Sequence, residues 1–174
     1  PEAHAARNMF ELGLIAIRSA VAEGVFDSSW SFGGVGSLGG PASIPLPRGR
    51  SLDLTPRRSQ SGYGELLAGN DIGLALMYAP HPSLVPIEMA SAGMLTVTNT
   101  YETKTAEAMA AISSNIDAVA PDVGSLVEAL RRAVSLSDDG NARAAGATVE
   151  WSRGWDETFN AETMNQVLDL LNRC

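Results

Sequence analysis

Apolar residues recur at helical spacing near the start of the chain. Phe10, Leu14, Ile17 and Val21 follow one another at intervals of three or four positions. This spacing places all four side chains on one side of a helix, so the pattern predicts an amphipathic helix over residues 7–23.

Apolar strand patterns alternate with helical patterns along the rest of the chain. We predict strands at 30–36, 51–54, 71–78, 94–98 and 115–120, and helices at 59–69, 83–92, 102–111, 125–136, 138–151 and 155–171. Residues 37–50 are rich in Gly and Pro and are predicted to be mostly loop. The alternation favours an α/β fold, a Rossmann-like parallel sheet flanked by helices. Such sheets bind ligands at the carboxyl ends of their strands.

Composition and charge exclude some classes of function. The 174 residues suffice for one domain with a sizeable core, and the net charge is −8. Nucleic acids select basic surfaces, so we expect no nucleic-acid binding. Lys104 is the only lysine, and the remaining formal positive charge is arginine, which is compatible with a small phosphorylated ligand. No apolar run approaches the roughly 18 residues of a membrane span, and no signal peptide is visible, so a cytoplasmic location is the default expectation.

Cysteine and histidine are too sparse for a metal centre. Cys174 is the only cysteine, which excludes an internal disulfide and a cysteine-based metal site. His4 and His81 are the only histidines and show no metal-ligand spacing. We therefore expect neither a metal nor a bound cofactor. The chain starts at Pro1 without a methionine, and we expect a fragment or a processed product.

The segment 78–93 carries the strongest signal for chemistry. The pattern predicts the end of a buried strand, a Pro-rich loop and then a helix. Ser83 would be the N-cap of this helix, and Glu88 would lie in its second turn. Small or apolar residues surround Glu88, so we expect its carboxylate near the interior, where it needs partners. The two vicinal hydroxyls of a ribose could donate to it, each charge-assisted bond contributing about 1.5–3 kcal/mol. The simpler interpretation is a helix-surface acid.

This segment resembles the donor-binding motif of GT-B fold glycosyltransferases. In that family a strand and a loop lead into a helix whose glutamate binds the nucleotide ribose, followed by Ala-Met-Ala-x-Gly and another strand. Glu88 and the Met-Ala-Ser-Ala-Gly of residues 89–93 match this second half. Pro80 stands where the family has an earlier glutamate, the residue that usually contacts the sugar hydroxyls.

One branch of the family is more similar than the rest. Pro-His-Pro-Ser-x-x-Pro-x-Glu-Met-Ala, followed by Leu-Thr-Val-Thr-Asn at 95–99, resembles the rhamnosyltransferases of surface-polysaccharide and S-layer glycan assembly. The segment 6–13, Ala-Arg-Asn-Met-Phe-Glu-Leu-Gly, resembles them as well. The resemblance implies donor-binding roles for ten residues. These are Glu88, Arg7, Asn8, Ser83, Leu84, His81, Gly33, Gly34, Leu54 and Thr55.

The resemblance gives these residues different roles. Arg7 matches a basic residue that binds the donor diphosphate, and the loop and helix start at 81–84 match the part that meets the diphosphate and sugar. Residues 54–55 match the turn whose backbone meets the base, and the glycines at 33–34 match the end of the second strand. Each feature also has a simpler explanation: Arg7 as a solvated cation, His81 as an exposed loop residue, and the glycines as a weak signal.

The resemblance implies a bacterial hexosyl- or rhamnosyltransferase. Residues 1–174 would be the nucleotide-sugar-binding, C-terminal lobe of a GT-B enzyme, without its first strand and its N-terminal acceptor-binding domain. The reaction would move a sugar, with rhamnose from a thymidine diphosphate as first candidate, to a glycan hydroxyl. The family is mostly metal-independent, and the resemblance leans towards retention. The partners would be a nucleotide sugar and, through the other lobe, a glycan acceptor, with peripheral membrane association of the full-length protein left open. The chain alone would be inactive.

Two alternative hypotheses place this chain in other functional classes. The Pro80 departure is compatible with a non-catalytic nucleotide-sugar-binding module. Alternatively, the C-terminal helices that carry Trp151 and Trp155 form the interface of a docking or oligomerisation domain. In a transferase of this family, the same tryptophans would pack in the core or between lobes.

Overall fold

The computed structural model describes residues 6–37, 39–152 and 154–173. The strands are β1 (Phe32–Ser37), β2 (Ala42–Leu46), β3 (Arg50–Pro56), β4 (Ile72–Leu74), β5 (Leu95–Asn99) and β6 (Ile116–Val119). The helices, after a 3₁₀ turn at Ala6–Asn8, are α1 (Phe10–Glu23), α2 (Gln60–Ala68), α3 (Leu84–Ser91), α4 (Ala106–Ile112), α5 (Val123–Leu136), α6 (Gly140–Gly146), α7 (Trp155–Thr158) and α8 (Ala161–Leu171). His4 and Cys174, which entered the sequence argument on metals and disulfides, lie outside the described residues.

The strands form two three-stranded sheets. Sheet A has the order β1-β3-β2, with β1 parallel and β2 antiparallel to β3. Sheet B has the order β4-β5-β6, and all its strands are parallel. Helices pack on sheet B, so the predicted α/β class with parallel strands flanked by helices is confirmed.

Strand β2 corrects the prediction that residues 37–50 are mostly loop. Among the described residues β2 pairs only with β3, and it therefore lies at an edge of sheet A. Pro45 lacks an N–H group but is tolerated there, because an edge strand has one side without hydrogen-bonded neighbours. The Gly and Pro content of residues 37–50 indicated a loop, but it is also compatible with an edge strand such as β2.

Several predicted boundaries also need correction. Of the predicted strand 71–78, only Ile72–Leu74 forms a ladder, although the N–H of Ala75 still donates to the carbonyl oxygen of Val97 at 3.1 Å. Strand β5 extends to Asn99, one residue beyond the predicted strand 94–98. The predicted helix 138–151 is limited to α6. The predicted helix 155–171 is divided into α7 and α8, because the side chain of Asn160 caps α8.

The core lies on both faces of sheet B. Along β5, successive side chains alternate between the faces, so Val97 and Thr96 point to opposite sides. Val97 belongs to a large apolar cluster with α1 and α5, whereas Ile116, the β6 partner of Thr96, belongs to a smaller cluster with α3 and α4. Helices α1 and α5 therefore cover one face, and α3 and α4 cover the other.

The C-terminal helices lie outside this core. Neither α7 nor α8 has a buried residue. Trp155 is 78% exposed and stacks on Phe159, so it does not pack in this core, and its packing between lobes stays a prediction. Trp30 packs against the main apolar cluster. Among the described residues, no helix is both long and apolar enough to cross a membrane.

Candidate functional site at the carboxyl ends of the strands

The strands β1 and β4 run in the same direction. The chain enters α1 beside the carboxyl end of β4, where the N–H of Tyr78 donates to the carbonyl oxygen of Arg7 at 2.6 Å. Helix α1 ends at the opposite end of the sheet, where Glu23 pairs with Arg131 in the second half of α5 at 3.0 Å. Strand β1 therefore starts at the amino end of sheet B, and the loops after β3, β4 and β5 are on one side of the molecule.

The loop between β4 and α3 is held by its own side chains. The N–H of Ser83 donates to Nδ1 of the exposed His81 imidazole at 2.9 Å. Ser83 has φ 70°, which is unusual for a residue with a side chain and costs on the order of 1–3 kcal/mol. Its Oγ accepts from the N–H of Val85 at 3.4 Å, which confirms the predicted N-cap, although the bond is long.

Glu88 lies on the exposed side of α3. Ile87 and Ala90 occupy the buried side of this helix, so the expectation of a carboxylate near the interior is wrong. The phenol of Tyr63 on α2 is close enough for the charge of Glu88 to matter. Burial, and secondly this negative charge, raise the pKa of Tyr63. Glu88 therefore presents acceptor oxygens to solvent near α2, where hydroxyl groups of a ligand could donate to them.

The glycines of β1 and the end of β3 come together as neighbours. Gly33 and Gly34 pair with Asp53 and Leu54 in the parallel ladder. A Cβ on Gly34 would lie 2.6 Å from Cδ2 of Leu54, so this close packing requires the glycine. The hydroxyl of Thr55 donates to the carbonyl oxygen of Gly34 at 3.3 Å.

A buried lysine supports the loop after β4, and the sequence analysis did not assign it a role. Lys104 is 2% exposed, and its Nζ donates to the carbonyl oxygen of Met77 at 3.1 Å and to Oδ1 of Asn99 at 3.4 Å. The same Oδ1 accepts from the N–H of Met77 at 2.8 Å. Burial lowers the pKa of Lys104. The available signal was that Lys104 is the only lysine of the chain.

Two tyrosines meet beside this network. The rings of Tyr78 and Tyr101 have centroids 4.4 Å apart. A side-chain hydrogen bond with Tyr78, then burial and the charge of Glu102, raises the pKa of Tyr101 to about 12. The phenol of Tyr101 therefore stays neutral over the physiological range and can donate a hydrogen bond.

A cavity of about 1120 Å³ lies between β1 and β4. Six of the ten predicted site residues line it: Asn8, Gly33, Gly34, Leu54, Thr55 and Ser83. The other four, Arg7, His81, Leu84 and Glu88, are exposed and do not line it. Among the described residues, no cluster of His, Cys, Asp or Glu could hold a metal ion.

These features define a Rossmann-like α/β domain with polar groups at the carboxyl ends of its strands. Residues 1–131 match the family described as WsaF, C-terminal domain. The match covers 131 of the 174 residues, and the chain belongs to this family, whose domain is associated with glycosyltransferases. No curated protein matches the chain.

Proposed function

We propose that this chain binds the nucleoside diphosphate sugar of a glycosyltransferase that transfers the sugar to a glycan hydroxyl. Rhamnose from a thymidine diphosphate donor is the first candidate. Membership of the WsaF C-terminal domain family carries this proposal. The loops at the carboxyl ends of parallel strands support it, because ligands of open α/β sheets bind there.

The donor would lie across the loop between β4 and α3. Glu88 is exposed on the second turn of α3, where its two carboxylate oxygens can accept from the ribose hydroxyls. The diphosphate would meet Arg7 and the first turn of α3, whose free N–H groups favour negative charge. The base would lie against the backbone at Leu54 and Thr55.

Catalysis would come from charge stabilisation at the diphosphate. When the bond between the anomeric carbon and the diphosphate oxygen breaks, negative charge accumulates on the leaving group. Arg7 and the helix N–H groups would stabilise that charge. The acceptor hydroxyl would be supplied by another lobe, so the proposal assigns this chain donor binding and no turnover of its own.

Titration calorimetry with thymidine diphosphate and uridine diphosphate tests the proposal. We expect one nucleotide to bind, and Glu88→Ala to weaken it about tenfold, which corresponds to about 1.4 kcal/mol. Glu162→Ala is the matched control, because Glu162 is also exposed but lies on α8, beyond the residues that match the family. The same titrations are repeated with the full-length protein. If the full-length protein also binds neither nucleotide, the donor-binding proposal fails and an interaction domain becomes the better explanation.

A further inference from the structure

Two tyrosines lie beyond the carboxyl ends of neighbouring strands of sheet B. Tyr78 follows the extension of β4, and Tyr101 is the second residue after β5. Tyr78 is 59% exposed, and Tyr101 is partly exposed. Because ligands of open α/β sheets bind at the carboxyl ends of the strands, this aromatic pair lies where a ligand can reach it.

The peptide bond before Tyr78 is fixed on both sides. Its carbonyl group, that of Met77, accepts from Nζ of Lys104 and from Nδ2 of Asn99, both at 3.1 Å. Its N–H group donates to the carbonyl oxygen of Arg7. The backbone that carries the exposed ring of Tyr78 is therefore held in place before any ligand binds.

The buried Lys104 also fixes Tyr101. The N–H of Tyr101 donates to the carbonyl oxygen of Lys104 at 3.0 Å, and the N–H of Lys104 donates back to that of Tyr101 at 2.8 Å. These two bonds close a tight turn in which Glu102 has φ 46°. Oγ1 of Thr103 in the same turn donates to the carbonyl oxygen of Pro80 at 3.4 Å, so the turn contacts the loop after β4. Lys104 thus positions one tyrosine through its backbone and the other through its side chain.

The geometry of the two rings suits a sugar better than a flat base. A fixed, exposed tyrosine loses little conformational entropy when a ligand binds to it. The centroids of Tyr78 and Tyr101 are 4.4 Å apart and the ring planes are tilted by 58°. A planar base could stack on only one of two rings tilted in this way. The C–H groups of a puckered pyranose point in several directions and can contact both, attracted by the negative charge of the ring faces.

A carboxylate lies beside the rings. Glu102 is exposed and is close enough to Tyr101 for its charge to contribute to the raised pKa of that phenol. Hydroxyl groups of a sugar can donate to this carboxylate in charge-assisted hydrogen bonds. On the other side, Tyr78 is in backbone contact with Arg7, the residue to which we assign the diphosphate. A sugar that is attached to the diphosphate would therefore be near the rings.

The geometry points to a subsite for one pyranose ring on Tyr78 and Tyr101, with the carboxylate of Glu102 accepting hydrogen bonds from its hydroxyl groups. The ring belongs to the nucleotide sugar or to the glycan, which are two sources of the same chemistry. The inference rests on the proposed function, since both sources take part in the proposed reaction.

NMR of the tyrosine rings tests the subsite directly. The chain has three tyrosines, so ring-labelled tyrosine gives a small set of signals that three Tyr→Phe variants assign. The ligands are thymidine diphosphate, thymidine diphosphate rhamnose and methyl rhamnoside, with uridine diphosphate, uridine diphosphate glucose and methyl glucoside in parallel. We expect one nucleotide sugar or one methyl glycoside to shift the signals of Tyr78 and Tyr101 more than the nucleotide alone does. A response to the glycoside indicates the glycan as the source, and a response to the nucleotide sugar alone indicates the donor.

The third tyrosine separates failure of this inference from failure of the proposed function. Tyr63 is near Glu88, to which we assign the ribose, so its signal reports on the nucleotide. Shifts of Tyr63 without additional shifts of Tyr78 and Tyr101 in any sugar titration would overturn the subsite and leave nucleotide binding intact. Shifts of Tyr78 and Tyr101 with a glycoside, while no nucleotide moves Tyr63, would support the subsite and contradict the proposed nucleotide contact. No shift at any tyrosine would overturn both.

Variants of the ring pair check the affinity. Tyr78→Ala should weaken binding of the responding sugar ligand about fivefold or more, as the loss of a stacking ring does, whereas Tyr78→Phe keeps the ring and should retain most of the affinity. Trp155→Ala is the matched control, because Trp155 also belongs to an exposed aromatic pair but lies on α7, beyond the residues that match the family. Parent affinity in Tyr78→Ala, or an equal loss in Trp155→Ala, would contradict the subsite.

Glu102→Gln tests the same subsite with both rings intact. Glu102 is exposed on its turn, so the substitution removes the charge without removing buried contacts. We expect binding of the sugar ligand to weaken about threefold or more, because neutral hydrogen bonds are weaker than charge-assisted ones. Glu107→Gln, also exposed but at the start of α4, should leave the affinity unchanged. Equal affinities of the two glutamine variants would show that Glu102 does not contact the sugar and would overturn its part of the inference.

Discussion

The backbone N–H of Tyr78 donates a 2.6 Å hydrogen bond to the carbonyl oxygen of Arg7. This bond fixes the start of α1 against the loop that leads into α3. It uses only backbone atoms of Arg7, whose side chain is exposed and forms no ion pair with any described residue. Among the residues that the structure describes, the guanidinium group of Arg7 therefore has no ion-pair partner that a ligand would have to displace.

Arg7→Ala should weaken nucleotide diphosphate binding about tenfold or more, because a charge-assisted hydrogen bond contributes about 1.5–3 kcal/mol. The melting temperature should stay within about 2 °C of the parent, since surface substitutions usually change stability by less than about 0.5 kcal/mol. Calorimetry and thermal unfolding check both statements. Arg131→Ala, on the surface of α5, is the control and should leave the affinity unchanged. Equal affinities of the Arg7 variant and the parent would contradict the phosphate role.

Removal of residues 152–174 should leave the domain folded. Helices α7 and α8 contain no buried residue, so their loss removes little apolar burial. We expect a melting temperature within about 2 °C of the parent, measured by circular dichroism. Size-exclusion chromatography of the two chains shows whether the exposed Trp155, Leu170 and Leu171 mediate association. A large loss of stability would show that these helices pack on the domain in solution.

Gly146→Ala should destabilise the domain, whereas Gly140→Ala should not. A Cβ on Gly146 would lie 2.9 Å from the backbone nitrogen of Asn115 and closer still to its side chain, which donates to the carbonyl oxygen of Arg143 at 2.8 Å. Overpacking of this kind costs about 1–3 kcal/mol. A Cβ on Gly140, at the start of the same helix, would meet no atom within 4 Å. Urea unfolding of both variants checks the difference, and equal midpoints would contradict it.

Local patterns were sufficient for most of the fold. The 3.6-residue periodicity of residues 10–21 predicted α1. The helix predicted at 125–136 is present as α5, which begins two residues earlier, at Val123. The patterns missed strand β2, because an edge strand tolerates Pro45. They also predicted one helix at 155–171, where the side chain of Asn160 caps a second helix, α8. Both failures arise because Pro and Asn favour loops locally while the tertiary structure or a cap decides the outcome.

The site was less accessible from sequence. The helix start at Ser83 could be located from local spacing, and the paired glycines Gly33 and Gly34 from family resemblance. The support of Met77 by Lys104 could not, because the two residues are 27 positions apart and the contact depends on how β4, β5 and the following loop assemble. Glu88 was assigned to the wrong side of its helix, since apolar neighbours in sequence do not determine which residues of a short helix are buried.

Lys104→Met should change the dependence of stability on pH. Burial lowers the pKa of Lys104 from its ordinary value of 10.5. Between the lowered pKa and 10.5, the unfolded chain therefore binds more protons than the folded chain does. The parent should therefore gain stability relative to Lys104→Met as the pH rises from the lowered pKa towards 10.5, because the cost of burying the charge disappears. Urea unfolding at a series of pH values measures this difference. A difference that is independent of pH would show that Lys104 is not buried as a cation.

Tyr101→Phe should reduce the loss of stability at high pH. The pKa of Tyr101 is about 12 in the folded chain and 10.0 when unperturbed, first because of its hydrogen bond with Tyr78. Between these values the unfolded state loses its proton while the folded state keeps it, so the stability of the parent falls as the pH rises. The variant lacks this group and should lose less stability between pH 10 and pH 12, as measured by thermal unfolding. Tyr63→Phe is the comparison: the pKa of Tyr63 is also raised, but by burial, so its variant should retain the part of the loss that is due to Tyr101. If Tyr101→Phe and the parent lose equal stability over this range, the hydrogen bond between Tyr78 and Tyr101 does not persist in solution.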